Sequence, residues 1–139
     1  MFDRSRLIKY FKELLDNAER ITRNAISKIP DGVYKFTDYM DCDGVELNKV
    51  PIKVEVQING DSVIVDTSGS SKQVQGAINS TYSMTKAVSY FAIRSIIEDD
   101  MPNNGGFFRP IKVIAEEQEA VCLLPVPQVR QALHVLLVL

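Results

Sequence analysis

Histidine is nearly missing from this chain and tryptophan is wholly so. A single histidine, His134, accompanies two cysteines, Cys42 and Cys122, which are far apart and sit in no motif. A zinc site of the usual type needs three or four Cys, His or carboxylate ligands in a recognisable spacing, and that pattern is absent. A Ser-His-Asp or Cys-His arrangement would have to recruit the same lone histidine. Two scattered cysteines make no disulfide framework, and a reducing cytoplasm is the expected compartment. The N-terminal stretch lacks an apolar h-region, so no signal peptide is expected. No run approaches the roughly 18 apolar residues of a membrane span. A basic excess is lacking too. The formal net charge is −2 over 139 residues, which argues against a nucleic-acid partner.

What is present suits an ordinary folded domain. Hydrophobic residues make up 45% of the chain and charged residues 24%, enough for a real core at this length. Residues 3 to about 28 read as one long helix. Leu7, Phe11, Leu14, Leu15, Ala18, Ile21, Ala25 and Ile29 recur at three- and four-residue spacing. Asp3 or Ser5 can cap its start, and Pro30-Asp31-Gly32 ends it. The basic residues Arg4, Arg6, Lys9, Lys12, Arg20, Arg23 and Lys28 are interleaved with Asp3, Glu13, Asp16 and Glu19, the pattern of a solvated helix face. A helix this long on a small domain is expected to lie against a partner or a larger body.

Strand periodicity follows. Val33 to Tyr39 alternates as an edge strand would. Ile52, Val54, Val56 and Ile58 alternate with Lys53, Glu55 and Gln57. Asn59-Gly60 predicts a two-residue hairpin loop within a hairpin of about 52–67, which would pair Val56 with Val63, Val54 with Val65 and Lys53 with Asp66. A second helix is expected over about 81–98, with Met84, Val88, Phe91, Ala92 and Ser95 on one side. Ile93, Ile96 and Ile97 widen the stripe toward burial on more than one side. Ile111 to Ala115 reads as a short strand. The class is α+β, an antiparallel sheet with helices packed on it.

The chemistry-bearing candidates are few. Asp66-Thr67-Ser68-Gly69-Ser70-Ser71 follows an apolar strand and is rich in hydroxyls and backbone donors. It can cradle an anion as a backbone nest, or Asp66 can cap the turn with Gly69 at positive φ. It lacks the lysine and glycine spacing of a P-loop. Asp38, Asp41, Asp43 and Glu46 cluster around Gly44, but the register puts Tyr39 and Val50 at the first and last positions of a calcium loop, so a solvated turn is the better reading. Asn103-Asn104-Gly105-Gly106 can be a closing loop or a plain connector, and Arg109 behind it suits a carboxylate. From Val121 onward only Arg130 and His134 carry or can carry charge, and the stretch ends in aliphatics. Free chain ends are normally solvated, so residues 121–139 read as an atypical tail marking a fragment boundary or a wrong reading frame.

The landmarks are collinear. Ala18-Glu19-Arg20-Ile21-Thr22-Arg23 precedes Ile29-Pro30-Asp31-Gly32-Val33-Tyr34. Asp38-Tyr39-Met40-Asp41, Asp43-Gly44, Val65-Asp66-Thr67-Ser68-Gly69-Ser70-Ser71 and Gly76-Ala77-Ile78-Asn79 follow. Pro102-Asn103-Asn104-Gly105 and Phe108-Arg109-Pro110-Ile111 close the series. Over roughly residues 10–119 the chain resembles the later half of the hydantoinase B / oxoprolinase family. That family includes B-type subunits of ATP-dependent N-methylhydantoinase, the matching part of 5-oxoprolinase, and a subunit of acetone carboxylase.

The resemblance implies ATP-driven opening of a cyclic amide, or a carboxylation in the acetone branch. It implies ATP and a divalent metal for the parent enzyme, with ATP held by an A-type subunit. No cofactor is expected in this chain, because the family's histidine- and aspartate-bearing metal motifs lie in its earlier half. The implied partners are the remainder of the B-type subunit and the A-type subunit, in an oligomer. Residues 1–120 would be a fragment of the family's domain, inactive alone, with Asp66, Ser68, Gly69, Ser70, Asn79 and Arg109 as candidate substrate-corner residues. The contrasting reading is a stand-alone binding or oligomerisation module that uses the stripe on the first helix and the tail as contact surfaces.

Overall fold

The computed structural model describes residues 3–97 and 102–115. The atypical tail, with His134 and Cys122, lies outside them. In chain order the elements are α1 (Arg4–Ile26), β1 (Gly32–Met40), β2 (Val50–Asn59), β3 (Ser62–Asp66), α2 (Tyr82–Ile96) and β4 (Ile111–Ile114). The α+β class stands. The sheet has the order β1-β2-β3-β4. It is mixed rather than wholly antiparallel: β1–β2 and β2–β3 are antiparallel, while β4 runs parallel to β3. The reason is connectivity. The chain leaves the end of β3, crosses through α2 and returns to start β4 beside the start of β3, the path a parallel neighbour requires.

Strand alternation sorts the sheet into two faces. Ile52, Val54, Val56, Ile58, Val63, Val65, Ile111 and Val113 form one buried face. They join Ile26 of α1, Ala92 and Ile93 of α2, and Phe107 in a single core. Both helices therefore cover the same face. Lys35, Thr37, Lys53, Glu55 and Asp66 point to the other side.

The hairpin forms two residues out of the expected register. Val56 faces Val65, Ile58 faces Val63, and Asp66 lies opposite Glu55, not Lys53. Asn59 and Ser62 close the loop, whose central residues are Gly60 and Asp61. Gly60 has φ +57 and no described non-glycine residue has positive φ, so the left-handed position falls on the first loop residue, as in a II′ turn. Glycine takes that position without steric cost. The Gly60 N–H also donates to Asp31 at 2.8 Å, which holds the turn against the loop that leads from α1 into β1. A two-residue shift preserves the faces of the strands, so the same valines stay buried.

Each helix buries small polar residues where it meets the sheet. In α2 the buried positions are Thr85, Ser89, Ala92 and Ile93; Met84 and Phe91, expected inward, are exposed. Only one face of α2 is covered. Hydroxyls satisfied within the helix let it approach closely: Ser89 Oγ donates to the Thr85 carbonyl at 2.8 Å, and in α1 Thr22 Oγ1 does the same to Ala18 at 2.8 Å. Asp3 caps α1, accepting from the Ser5 N–H at 3.1 Å, and Thr81 caps α2.

Candidate functional site

The polar corner begins where β3 runs out. In the hairpin register Lys53 of β2 would next meet Ser68, but the chain turns away there. Asp66 Oδ1 accepts the Ser68 N–H at 2.8 Å, an Asx turn. The Gly69 and Ser70 N–H groups both donate to the Thr67 carbonyl. Ser70 then replaces the missing strand: its hydroxyl accepts from Lys53 N and donates to Lys53 O, each at 3.0 Å. Thr67 is buried and extends the β3–β4 ladder by donating its N–H to Ile114 O at 2.9 Å. Gly69 does not have positive φ, contrary to expectation. An added Cβ would meet the Lys53 side chain that crosses over it at 3.5 Å, an ordinary van der Waals contact, so the position does not require glycine.

Asn79 holds the following loop. Its Nδ2 donates to Val74 O at 2.7 Å and Gly76 O at 3.1 Å, and its Oδ1 accepts from Val74 N at 3.0 Å. This amide is occupied with its own backbone.

The acidic cluster contains more than a solvated turn. Asp43 is 6% exposed. Its Oδ1 accepts from Val45 N at 2.8 Å and Glu46 N at 2.6 Å, and its Oδ2 accepts from Gly76 N at 3.0 Å. The Glu46 and Val45 amides above all hold its pKa below the ordinary 3.8, against a burial that would raise it. Gly76 is packed so tightly that a Cβ would lie 1.7 Å from the Asp43 carbonyl oxygen. This latch ties the β1–β2 loop to the corner. The sequence signal was Asp43 before Gly44, whose φ is +88, an Asx-turn pattern; its distant partner Gly76 had no local signal.

A depression of about 350 Å³ opens on the outer sheet face, lined by Lys35, Thr37, Lys53, Glu55, Asp66, Ser68 and Gly69 among others. Lys35 and Glu55 pair at 2.8 Å. Lys35 first, then Gln57, lowers the Glu55 pKa. Among the described residues no carboxylate stands within ion-pair distance of Lys53, and the Ser68 and Thr37 hydroxyls donate to no protein group. The depression thus offers an ammonium, two hydroxyls and the remaining oxygen of Asp66. Lys35 and Thr37 were missed from sequence because only the β1–β2 register carries them there.

The candidates divide accordingly. Asp66, Ser68 and Gly69 line the depression. Ser70 and Asn79 shape the corner through backbone contacts. Arg109 lies elsewhere: it precedes β4 beside the start of β3, a strand's length from Asp66. Its Nη1 bonds to Asp16 and Glu19 of α1, each at 2.8 Å. Glu19 also binds Arg23, which reaches Asp61 at 2.8 Å. Arg109 first and Arg23 second hold Glu19 below its ordinary pKa. Part of the expected solvated face of α1 is therefore a network that joins the helix to the hairpin and to β4. The Asn103–Gly106 loop is clamped against α1, with Asn104 Nδ2 donating to Leu14 O at 3.3 Å. Gly106 is there because a Cβ would lie 1.9 Å from Leu15 O. Among the described residues no three His, Cys, Asp or Glu side chains converge, and the carboxylate oxygens of Asp43 are turned to backbone amides.

A fold of two helices on one face of this sheet, with a latched polar corner beyond the end of β3, matches a known class. The chain belongs to the Hydantoinase B/oxoprolinase family, whose model matches residues 1–133, further at both ends than the motif series alone. A putative D-/L-hydantoinase B-type subunit from a Pseudomonas species (strain NS671) is 36% identical over 115 residues, covering 75% of this chain and 19% of that protein. The 5-oxoprolinase of Dictyostelium discoideum is 30% identical over 112 residues, 76% of this chain and 8% of its own. The crystal structure of the ATP-dependent caprolactamase from Pseudomonas jessenii superposes with a TM-score of 0.79 at 25% identity, over 97% of this chain and 26% of that one. The chain spans a fifth or less of the length of these curated relatives. No described helix is long and apolar enough to cross a membrane.

Proposed function

We propose that this chain forms the sheet-and-corner region of a B-type subunit in an ATP-dependent cyclic-amide hydrolase, and that the depression beside Asp66 contacts the substrate ring. The observation that carries this is the set of uncommitted polar groups at one spot on the outer sheet face: Lys53, Thr37, Ser68 and one oxygen of Asp66. The ammonium and the hydroxyls suit ring carbonyl oxygens, and the carboxylate suits a ring N–H. Relatives named hydantoinase, 5-oxoprolinase and caprolactamase support that substrate class.

The chemical step belongs to other segments in this reading. Ring opening needs an activated water and a handled phosphoryl group; the depression has no base–nucleophile pair. ATP is assigned to an A-type subunit and a divalent metal to the remainder of the B-type polypeptide, within an oligomer in a reducing cytoplasm. The chain alone is inactive. Purified chain incubated with hydantoin or 5-oxoproline, ATP and a divalent cation should open no ring, and turnover would sink the assignment. Within an assembled enzyme, Lys53→Ala or Asp66→Asn should raise KM about tenfold or more with little change in Tm; unchanged KM would remove the depression from the substrate site.

One observation favours the second reading, a stand-alone binding or oligomerisation module: the apolar residues left exposed on α1. A stable, monodisperse oligomer formed without any A-type partner would support it.

A further inference from the structure

α1 outruns the body it packs on. Its C-terminal half buries Ala18 and Thr22 at 0% exposure and Ile26 at 1%. The same line of the helix, followed back in steps of three and four, meets Leu14, Phe11 and Leu7, exposed at 51%, 58% and 43%. Ile8 and Tyr10 widen this uncovered stretch. The Arg4–Leu14 segment is about 16 Å long at 1.5 Å per residue. It also carries a basic rim. Arg6 and Lys12 form it; Arg4 falls within the stripe itself, and Lys9 lies on the opposite side, where it faces Glu13, the segment's one acid, at 3.9 Å. At 100° per residue Arg6 and Lys12 fall on either edge of the apolar stripe.

We infer that the N-terminal half of α1 is a docking ridge for the rest of a B-type polypeptide, which meets it with an apolar surface flanked by acidic side chains. The inference rests on the B-type reading above and adds the surface and its chemistry. Three observations carry it. The stripe is continuous with packing already made by the same helix, so one face serves both contacts. The rim selects an acidic partner; a second copy would bring like-charged rims together. In the caprolactamase, the region that superposes on this chain is 26% of the polypeptide, so most of a B-type chain lies beyond the matched region and is available to cover the ridge.

The test grafts the whole chain into the B-type polypeptide of the Pseudomonas jessenii caprolactamase in place of the region it matches, so that the remainder of that polypeptide is the probe. The graft should give soluble, monodisperse protein. Phe11→Asp with Leu14→Asp should cut that yield at least fivefold while the circular dichroism of the isolated chain is unchanged. Arg6→Glu with Lys12→Glu, confined to solvated positions, should also cut it. Equal yields for the unmodified graft and the Phe11/Leu14 variant would overturn the ridge and leave the B-type reading intact. A full yield for the Arg6/Lys12 variant would overturn the acidic rim. If the unmodified graft fails where the native polypeptide folds, the B-type reading itself fails. An isolated chain that dimerises through Phe11 and Leu14 would make a second copy the occupant and refute the proposal.

Discussion

Gly76 and Gly69 stand in the same polar corner, and replacing each by alanine should have opposite consequences. At Gly76 a Cβ would lie 1.7 Å from the Asp43 carbonyl oxygen and 2.6 Å from its carbon. Both atoms are backbone in a loop fixed by the carboxylate of Asp43, so neither can swing away. Relief requires the two segments to separate by more than about 1 Å, which forfeits the Gly76 N–H bond to Asp43 at 3.0 Å. Overpacking strain of about 1–3 kcal/mol and an orphaned buried N–H of about 1–3 kcal/mol together give a loss of about 2–6 kcal/mol. For a domain of this size that lowers Tm by roughly 8 °C or more. Gly69→Ala adds a methyl 3.5 Å from a flexible lysine stem at a residue without positive φ. It should be neutral or stabilise by up to about 1 kcal/mol through the unfolded chain. Thermal and urea unfolding followed by circular dichroism measure both. An unchanged Tm for Gly76→Ala would refute the latch, and a clear loss for Gly69→Ala would restore the left-handed turn that the sequence suggested.

Ser70→Ala removes both hydrogen bonds to the Lys53 backbone and should cost about 1–3 kcal/mol in chemical denaturation; a loss below about 0.5 kcal/mol would show that water substitutes for the hydroxyl. In the hairpin, Gly60→Ala forces a left-handed alanine and should cost about 1–2 kcal/mol, whereas Asn59→Ala should cost clearly less, because Asn59 does not have positive φ; comparable losses at the two positions would be expected if both were left-handed loop residues. Asp43, Glu19 and Glu55 are each held below their ordinary pKa in the fold. The unfolded chain therefore binds more protons in acid. Their contribution is whole above the ordinary values, 3.8 for Asp43 and 4.5 for the two glutamates, and is lost as pH falls through the lower folded values. Urea midpoints should hold steady from neutrality to about pH 5 and fall below about pH 4, and Asp43→Asn should flatten that fall. A midpoint that rises on acidification would contradict the assignments.

Sequence periodicity by itself determined the elements and their inward faces on the strands. Two-residue alternation in Ile52–Ile58 and three- and four-residue spacing in α1 are local properties of the chain, and burial follows them along the strand and over the C-terminal half of α1. The collinear short motifs carried the family. What depended on partners far along the chain was decided only by the tertiary structure. The left-handed glycine moved the hairpin register by two residues. The crossover through α2 made β4 parallel to β3. Buried Thr85 and Ser89 turned α2 so that Phe91 points outward. Asp43 became a latch because Gly76 lies against it, and Arg109 left the corner because Asp16 and Glu19 compete for it at 2.8 Å. Such outcomes come from long-range register and from charge meeting charge across elements. Local pattern has no access to them, since a residue's neighbours along the chain do not say which backbone amides or ions will stand beside it once the sheet has closed.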